Sequence, residues 1–330
     1  MRVVDVGTAS PVRSQAVYHG LAYARTETTP DTIVIARPAA PYVCIGFHQD
    51  LEHEIDLEYC RERDLPVLRR ETGGGAVYID SDQLFVQWVM SPASLPLRID
   101  RRYELFIGPL IATYRAFGVD AHFQPVNDVH VGRRKITGTG AAQIGNAEVL
   151  VGNFILDFEP ETCARTLRSP SKAFRDQLGG SLREYMTSMR RELGAAPDAS
   201  VIAERYRAEC ESALGTRLEE GAFTADEIES IEAVERRFES ERFRRQPGGL
   251  RRKGVKIHAN VYVVESVRAA AGGDVRVTAR LHHDRIEDVA LTGNPLPAAY
   301  QSAHAAAGLR GEPWERALER IGPNREELDP

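Results

Sequence analysis

The chain has only four cysteines among its 330 residues. Cys44, Cys60, Cys163 and Cys210 stand far apart with no Cys-x-x-Cys pair, which excludes a disulfide framework and a zinc site of ordinary ligand spacing. A reducing cytoplasm is the expected setting. There is no basic excess: 42 Lys and Arg against 48 Asp and Glu leave a net charge of −6. No nucleic-acid partner is expected, since such a partner needs a basic footprint. Arg244-Arg245 and Arg251-Arg252-Lys253 are short and read as solvated turns. No apolar run approaches the ~20 residues of a membrane span, so no membrane association is expected. Residues 1–7 lack a signal-peptide apolar region and read as an opening strand. Internal repeats and low-complexity tracts are missing. So are Gly-Lys-Ser/Thr and Gly-x-Gly-x-x-Gly, which excludes the common phosphate-binding loops that precede a helix.

What is present, 42% hydrophobic and 27% charged residues, suffices for a substantial core and more than one domain. Apolar runs at 33–36 and 42–46, split by a Pro-rich turn, predict paired strands. A short helix over 56–63 and a strand over 65–69 follow. Tyr103, Phe106, Leu110, Ile111, Tyr114 and Phe117 recur near helical spacing within 101–117. Strands are expected at 128–131 and 149–158. Ile202, Tyr206, Cys210 and Leu214 then share one face of a helix over 200–214. Thr224-x-x-Glu227 is a capping-box signature ahead of Ile228, Ile231 and Val234. The Arg/Gly-rich stretch 240–253 reads as a linker. Beyond it, strands are expected at 256–264, 275–281 and 286–291, and a last helix holds Trp314, Leu318 and Ile321. The organisation is α+β, with a large domain over 1–245 and a small one over 250–330.

The most informative stretch is Arg69-Arg70-Glu71-Thr72-Gly73-Gly74-Gly75-Ala76-Val77-Tyr78. Three glycines between two strands let the backbone approach a ligand at three adjacent positions with no Cβ in the way. Two arginines at the mouth suit an anionic group. Further on stand the polar pair Asn127-Asp128, at the start of a strand, and Lys135, three residues before Gly138, with Gly140 beyond. A lysine beside two glycine-rich segments can sit between two anions, neutralise their repulsion and stabilise transition-state charge. Asp128 could hold Mg2+ or orient the lysine.

These blocks, together with Gly132-Arg133-Arg134-Lys135-Ile136-Thr137-Gly138 and the run-up Gly46-Phe47-His48-Gln49-Asp50, Glu54 and Tyr59, resemble the signature blocks of lipoate–protein ligases. The resemblance covers residues of about 1 to 190. Through Gly254-Val255-Lys256-Ile257 and Leu291-Thr292-Gly293-Asn294 it reaches, more weakly, the small accessory domain of the two-domain ligases. It implies the fold of biotin protein ligases and class II aminoacyl-tRNA synthetases: a mixed, mostly antiparallel sheet flanked by helices, plus a small C-terminal α+β domain. It also implies a two-step reaction with ATP, Mg2+ and lipoic acid, in which lipoyl-AMP forms and its acyl group passes to a lysine amine of an acceptor. That acceptor would be the lipoyl domain of a 2-oxoacid dehydrogenase E2, a glycine-cleavage carrier or a specialised lipoate-binding protein.

Residue by residue, the resemblance implies that Arg70 faces the adenylate phosphate and that Gly73, Gly74 and Gly75 line the lipoyl tunnel and the nucleotide. Val77 and Tyr78 would shape the adenine side. Ala76 and Gly138 belong to the same ATP- and lipoyl-AMP-binding set. Asn127 and Asp128 would lie at the nucleotide and metal. Lys135 would bridge carboxylate and α-phosphate and polarise the adenylate carbonyl.

Two positions depart from the family's pattern. Ile79-Asp80 stands where His-Asp is usual, and Val151-Gly152 where His-Gly is common; both bear on the placing of lipoate and on the identity of the acyl group. Cys163 offers another route, since related octanoyl and lipoyl transferases use a cysteine near a corresponding strand end. A thiolate there would form an acyl thioester without ATP. Against this, Cys163 lacks the Pro-Cys-Gly context of one transferase class, and unpaired cysteines are commonly buried. A third reading is a non-catalytic binder that kept the pocket and lost turnover. His48, His122, His130 and His282-His283 show no metal-ligand spacing and read as structural or surface residues. The segment 247–249 is expected to hinge the accessory domain between the two half-reactions.

Overall fold

A computed structural model describes residues 1–249 and 254–325. The Arg251-Arg252-Lys253 cluster of the expected linker lies outside the described residues. The centre is a six-stranded sheet in the order Gly140–Ile144, Ala147–Ile155, Gln83–Met90, Thr32–Pro38, Arg2–Ala9, Glu219–Glu220. Arg2–Ala9 pairs in parallel on both sides; the remaining pairings are antiparallel.

Every residue of Gln83–Met90 is buried, because helices cover both faces of the sheet. On one face Leu84, Val86, Trp88 and Met90 pack with Phe106, Leu110 and Tyr114 of helix Ile99–Ala116 and with Ile202 and Tyr206 of helix Ala199–Leu214. The alternating Val89 meets Val17 and Leu21 of helix Pro11–Ala24 and Ile231 of helix Ala225–Glu239. A strand buried on both sides has no solvent-facing side, so it is mostly apolar, with only the hydrogen-bonded Gln83 and Gln87 as exceptions. The buried Trp88 indole N–H donates to the Tyr206 hydroxyl at 2.9 Å, as a buried tryptophan requires. The capping box at Thr224 and Glu227 forms as the sequence predicts. No described helix is long and apolar enough to cross a membrane.

Two three-stranded sheets carry the site. One joins Val67–Arg69, Tyr42–Ile45 and Val77–Ile79; the other is an antiparallel meander of Ala121–Gln124, Asp128–Val131 and Arg134–Gly138. A four-stranded antiparallel C-terminal sheet follows: Val255–His258, Val261–Ala270, Gly273–His282 and Arg285–Thr292. Helix Trp314–Ile321 backs it with Trp314, Leu318 and Ile321. This sheet also packs on the larger unit, where Ile257, Val261 and Val263 share a core with Val43, Ile45, Leu178 and Tyr185. The fold is therefore α+β, with largely antiparallel sheets flanked by helices.

Three local expectations change. The strand expected over 256–264 is two strands, because Asn260, at φ +65°, reverses the chain after His258. Residues 134–144, between the strands expected at 128–131 and 149–158, form the strands Arg134–Gly138 and Gly140–Ile144; their small and polar residues carry little periodic apolar signal. The expected linker opens with a helix, Glu241–Arg244, whose Phe243 stacks on Phe238 at 5.0 Å.

Candidate active site

The glycine loop leaves the end of Val67–Arg69 and returns as Val77–Ile79. Gly74 has φ +100°, a conformation natural to glycine. The loop rests on Gly46, where an added Cβ would lie 2.4 Å from the Gly74 carbonyl oxygen. Nothing lies within 4 Å of the Cβ positions of Gly73 and Gly75, so bare main chain faces open space. Ala76 and Tyr78 are half-buried against the core, and Val77 is exposed.

Arg70 staples the loop. Its guanidinium donates to the carbonyls of Cys44 (3.1 Å), Gly73 (2.9 Å) and Gly75 (2.8 Å). Arg69 is not at the mouth, contrary to the sequence reading. Neighbouring strand residues point to opposite faces, and Arg69 points inward, fully buried, donating to the carbonyls of Phe47 (2.7 Å), Arg244 (3.0 Å) and Gln246 (2.6 Å).

Glu71 ties the loop to two helices. Its backbone N–H donates to His19 Nε2 at 3.1 Å, and its carboxylate accepts from Tyr23 (2.7 Å) and Arg237 (2.5 Å). Burial lowers the His19 pKa to about 3, so the neutral ring accepts at Nε2 while Nδ1–H donates to the Gln15 carbonyl. His19, Tyr23 and Arg237 escaped the sequence reading. The available signal was a His and a Tyr four residues apart, hence neighbours on one helix face.

Asp128 and Lys135 lie on adjacent antiparallel strands, with Lys135 Nζ 2.7 Å from Asp128 Oδ1. Asp128 is only 4% exposed. Burial alone would raise its pKa, but His130 and Lys135 outweigh burial and hold the carboxyl well below the usual range. The lysine stem lies alongside Gly138, whose Cβ position is 3.4 Å from Lys135 Cε and 3.5 Å from Nζ, ordinary contact distances. Asn127 fixes the strand entrance, its amide donating to the Thr139 carbonyl at 2.8 Å while Thr139 Oγ1 donates back to the Asn127 carbonyl.

The lysine strand and the glycine loop are linked. The Gly140 Cβ position lies 3.9 Å from Thr72, the residue leading into Gly73. A polar relay runs alongside: Gly138 N–H donates to Asn153 Oδ1 (3.3 Å), Asn153 Nδ2 to Gln83 Oε1 (2.7 Å), and Gln83 Nε2 to the Tyr78 carbonyl (3.2 Å). Asn153 and Gln83 were also missed; amide side chains inside an otherwise apolar strand were the signal, because buried polar groups need partners. A surface cleft of about 370 Å³ is lined by Tyr78, Pro41, Leu65 and Thr162, and one of about 260 Å³ by Phe158, Met186, Arg183 and Arg191; Lys135 lines neither.

The chemistry available can be narrowed. Ile79, at the position of the family's usual histidine, packs among Tyr42, Cys44, Leu68 and Phe85. All four cysteines are free and buried. Burial pushes Cys163 up to about 12, with the Tyr78 backbone only partly offsetting it. Burial likewise raises Cys60 to about 11 and Cys210 to about 12, and raises Cys44. None is an activated thiolate. Of the two roles expected for Asp128, holding Mg2+ or orienting the lysine, the contact seen is with Lys135, through one carboxylate oxygen. Among the described residues no group of three His, Cys, Asp or Glu is placed to hold a metal ion.

The sequence on this α+β scaffold matches a known family. Residues 10–211 match the lipoyl protein ligase A/B catalytic domain, and the chain belongs to that family. Octanoyltransferase LipM of Kyrpidia tusciae is 28% identical over 260 residues, 71% of this chain and 94% of that protein. Lipoate–protein ligase 1 of Staphylococcus aureus is 24% identical over 195 residues, 59% of this chain and 58% of that protein. The bi-partite lipoate protein ligase of Thermoplasma acidophilum superposes with a TM-score of 0.68 at 23% identity, covering 77% of this chain and 98% of that one. LipL1 of P. falciparum, solved with lipoate, gives 0.59 at 13% identity over 94% of this chain and 90% of that one. At these identities the structures establish the shared fold.

Proposed function

We propose that the chain is an ATP-dependent lipoate–protein ligase. A carboxylate oxygen of lipoate, or octanoate, attacks the α-phosphorus of ATP; the bond to pyrophosphate breaks and acyl-AMP forms. The neutral amine of an acceptor lysine then attacks the acyl carbonyl, the C–O bond to AMP breaks, and the amine's proton passes to solvent. The observation that carries this reading is the ammonium of Lys135, pre-oriented by a buried carboxylate and set beside Gly138. A cation so placed lowers repulsion between carboxylate and phosphate, then stabilises the tetrahedral oxyanion. Gly73, Gly74, Gly75 and Gly138 give the main chain close access to the substrates. Arg70, Ala76, Val77, Tyr78 and Asn127 complete the nucleotide-binding set, and no protein-held metal is assigned. The C-terminal sheet is read as the accessory domain. The acceptor is read as a lipoyl-domain protein in the cytoplasm.

A second reading, ATP-independent octanoyl transfer, is favoured by the likeness to LipM over nearly the whole of that protein. It needs a nucleophilic thiolate, and all four thiols are buried with raised pKa values. Pyrophosphate release on mixing the protein with ATP, lipoate and a lipoyl domain separates the two. The ligase reading expects release and acceptor lipoylation, both unchanged in Cys163→Ala. Acyl transfer from an octanoyl thioester without ATP, abolished by Cys163→Ala, would establish the transferase instead.

A further inference from the structure

Behind the Lys135–Asp128 pair stands a histidine from the C-terminal sheet. Asp128 Oδ1 holds the lysine, and Oδ2 faces His130 Nε2 at 4.0 Å. His258, the last residue of Val255–His258, meets His130 edge to face with ring centroids 4.9 Å apart. Both imidazoles are buried, and neither Nε2 has a hydrogen-bond partner. The His258 ring is fixed from its other sides: its Nδ1 pairs with the Ala259 carbonyl at 2.9 Å, and the Tyr185 ring lies 5.0 Å away.

Tyr185 is itself clamped across the two units. The guanidiniums of Arg133 and Arg280 each lie 5.3 Å from its ring, and its hydroxyl donates to Glu287 of the C-terminal sheet. Arg280 also reaches back to Glu184 at 2.7 Å. The next residue after Tyr185, Met186, bridges to Lys135, and the Thr187 N–H donates to the Lys135 carbonyl at 2.9 Å. The docked sheet therefore reaches the counter-ion of one lysine through two rings packed edge to face, and it holds Tyr185, next to the segment that bonds that lysine's backbone.

We propose that His258 is a positioning residue for Lys135, acting as a wedge behind His130 that keeps water from Asp128 and so keeps the ammonium locked to that carboxylate. The proposal deepens the reading of Lys135 as the catalytic cation and rests on it for its effect on rate. A dry carboxylate binds an ammonium far more firmly than a hydrated one, because local dielectric sets the strength of the pair. Removing the wedge gives His130 room to turn, admits water to Oδ2 and loosens Lys135.

The test reads Lys135 directly, in the resting full-length protein without ATP. An amine held in an ion pair is masked from acylating reagents, so the rate of Lys135 labelling by acetic anhydride, followed by peptide mass spectrometry, reports the lock. His258→Ala should raise that rate about threefold or more, the low end of coupling between contacting residues in one network. Asp128→Asn should also raise it, and the double variant should do no more than Asp128→Asn alone. His258→Phe, which restores a ring against His130, should return the rate toward wild type; it guards against an Ala variant that merely loosens the fold.

A His258→Ala rate equal to wild type overturns the proposal, as does full additivity with Asp128→Asn or failure of His258→Phe to rescue. In the ligase assay, His258→Ala should lower kcat for acyl-AMP formation with little change in KM for ATP. A wild-type protein that forms no acyl-AMP would refute the ligase reading while leaving the labelling result to judge the wedge.

Discussion

Lys135 Nζ and Asp128 Oδ1 stand 2.7 Å apart on paired strands, and the carboxylate is the more deeply buried partner. The asymmetry decides what each substitution does. Lys135→Ala strands a buried charge, whereas Asp128→Asn leaves a partly hydrated ammonium. Lys135→Ala should slow acyl-AMP formation by roughly 10²–10³, as for removal of one electrostatic stabiliser. It should also destabilise by on the order of 2–4 kcal/mol, near the range for a broken buried pair. Asp128→Asn in the Lys135→Ala background should recover much of the stability and none of the rate. Urea denaturation and a pyrophosphate assay measure the two separately.

The same pair predicts acid behaviour. The folded Asp128 carboxyl lies below its unfolded value, which is about 3.9 for aspartate. Its contribution to stability is therefore complete above that unfolded value and is lost as pH falls through the folded one. Without Lys135 the depression weakens and burial pulls the other way, so the acid-unfolding midpoint of Lys135→Ala should move to higher pH. A midpoint shift to lower pH, followed by tryptophan fluorescence, would contradict the assignment.

Asp80 titrates in the opposite sense. Burial raises its pKa to about 6, the Asp82 N–H opposes the rise, and the nearby Asp82, Glu159 and Asp157 add to it. A carboxyl raised on folding favours the fold while protonated, and that benefit drains away as pH climbs from about 4 to about 6. Asp80→Asn, which keeps an acceptor for the Asp82 N–H, should gain about 1–2 kcal/mol at pH 7.5 and nothing below pH 4. Thermal melts across that range check both the size and the window.

Thiol chemistry should be silent in the native state. Ellman's reagent at pH 8 should label the four cysteines slowly in the folded protein and all of them at once in denaturant, because each thiol is buried with a raised pKa. One fast-reacting native thiol that maps to Cys163 would revive the transferase reading.

Arg69 should matter for stability rather than for phosphate. Its guanidinium serves four main-chain carbonyls from two distant segments, Gly46 and Phe47 on one side and Arg244 and Gln246 on the other. Arg69→Leu leaves buried acceptors unpaired, at about 1–3 kcal/mol each where water cannot replace the donor. A stability loss exceeding that of Arg70→Leu in the same denaturation series is the expected result.

Much of the fold was legible because its longest elements repeat apolar residues at clean intervals. Phe106, Leu110 and Tyr114 announced their helix, and Thr224 with Glu227 announced the start of another. The glycine loop was legible as a strand-to-strand connection because three consecutive glycines interrupt two apolar runs. What stayed hidden was partnership across the chain. Nothing local to Arg69 says that its charge will turn inward toward Gln246, or that His19 will receive the Glu71 N–H from 52 positions away. For Asp128 the sequence left two roles open, holding Mg2+ or orienting the lysine, and only the folded pairing of the strands brings Lys135 Nζ to its oxygen. The short strands at 134–144 were invisible because glycine, alanine and threonine carry little hydrophobic contrast, and pairing alone defines them.

Gly20 sits where helix Pro11–Ala24 crosses Ala225–Glu239, and a methyl group there would come within 2.5 Å of the Ile231 α-carbon. One of these helices carries His19 and Tyr23, the other Arg237, and between them they hold Glu71. Even an alanine at position 20 would pry the two apart like a pebble in a hinge. The damage would register as a slackened glycine loop, relayed through His19, the residue before the mutation.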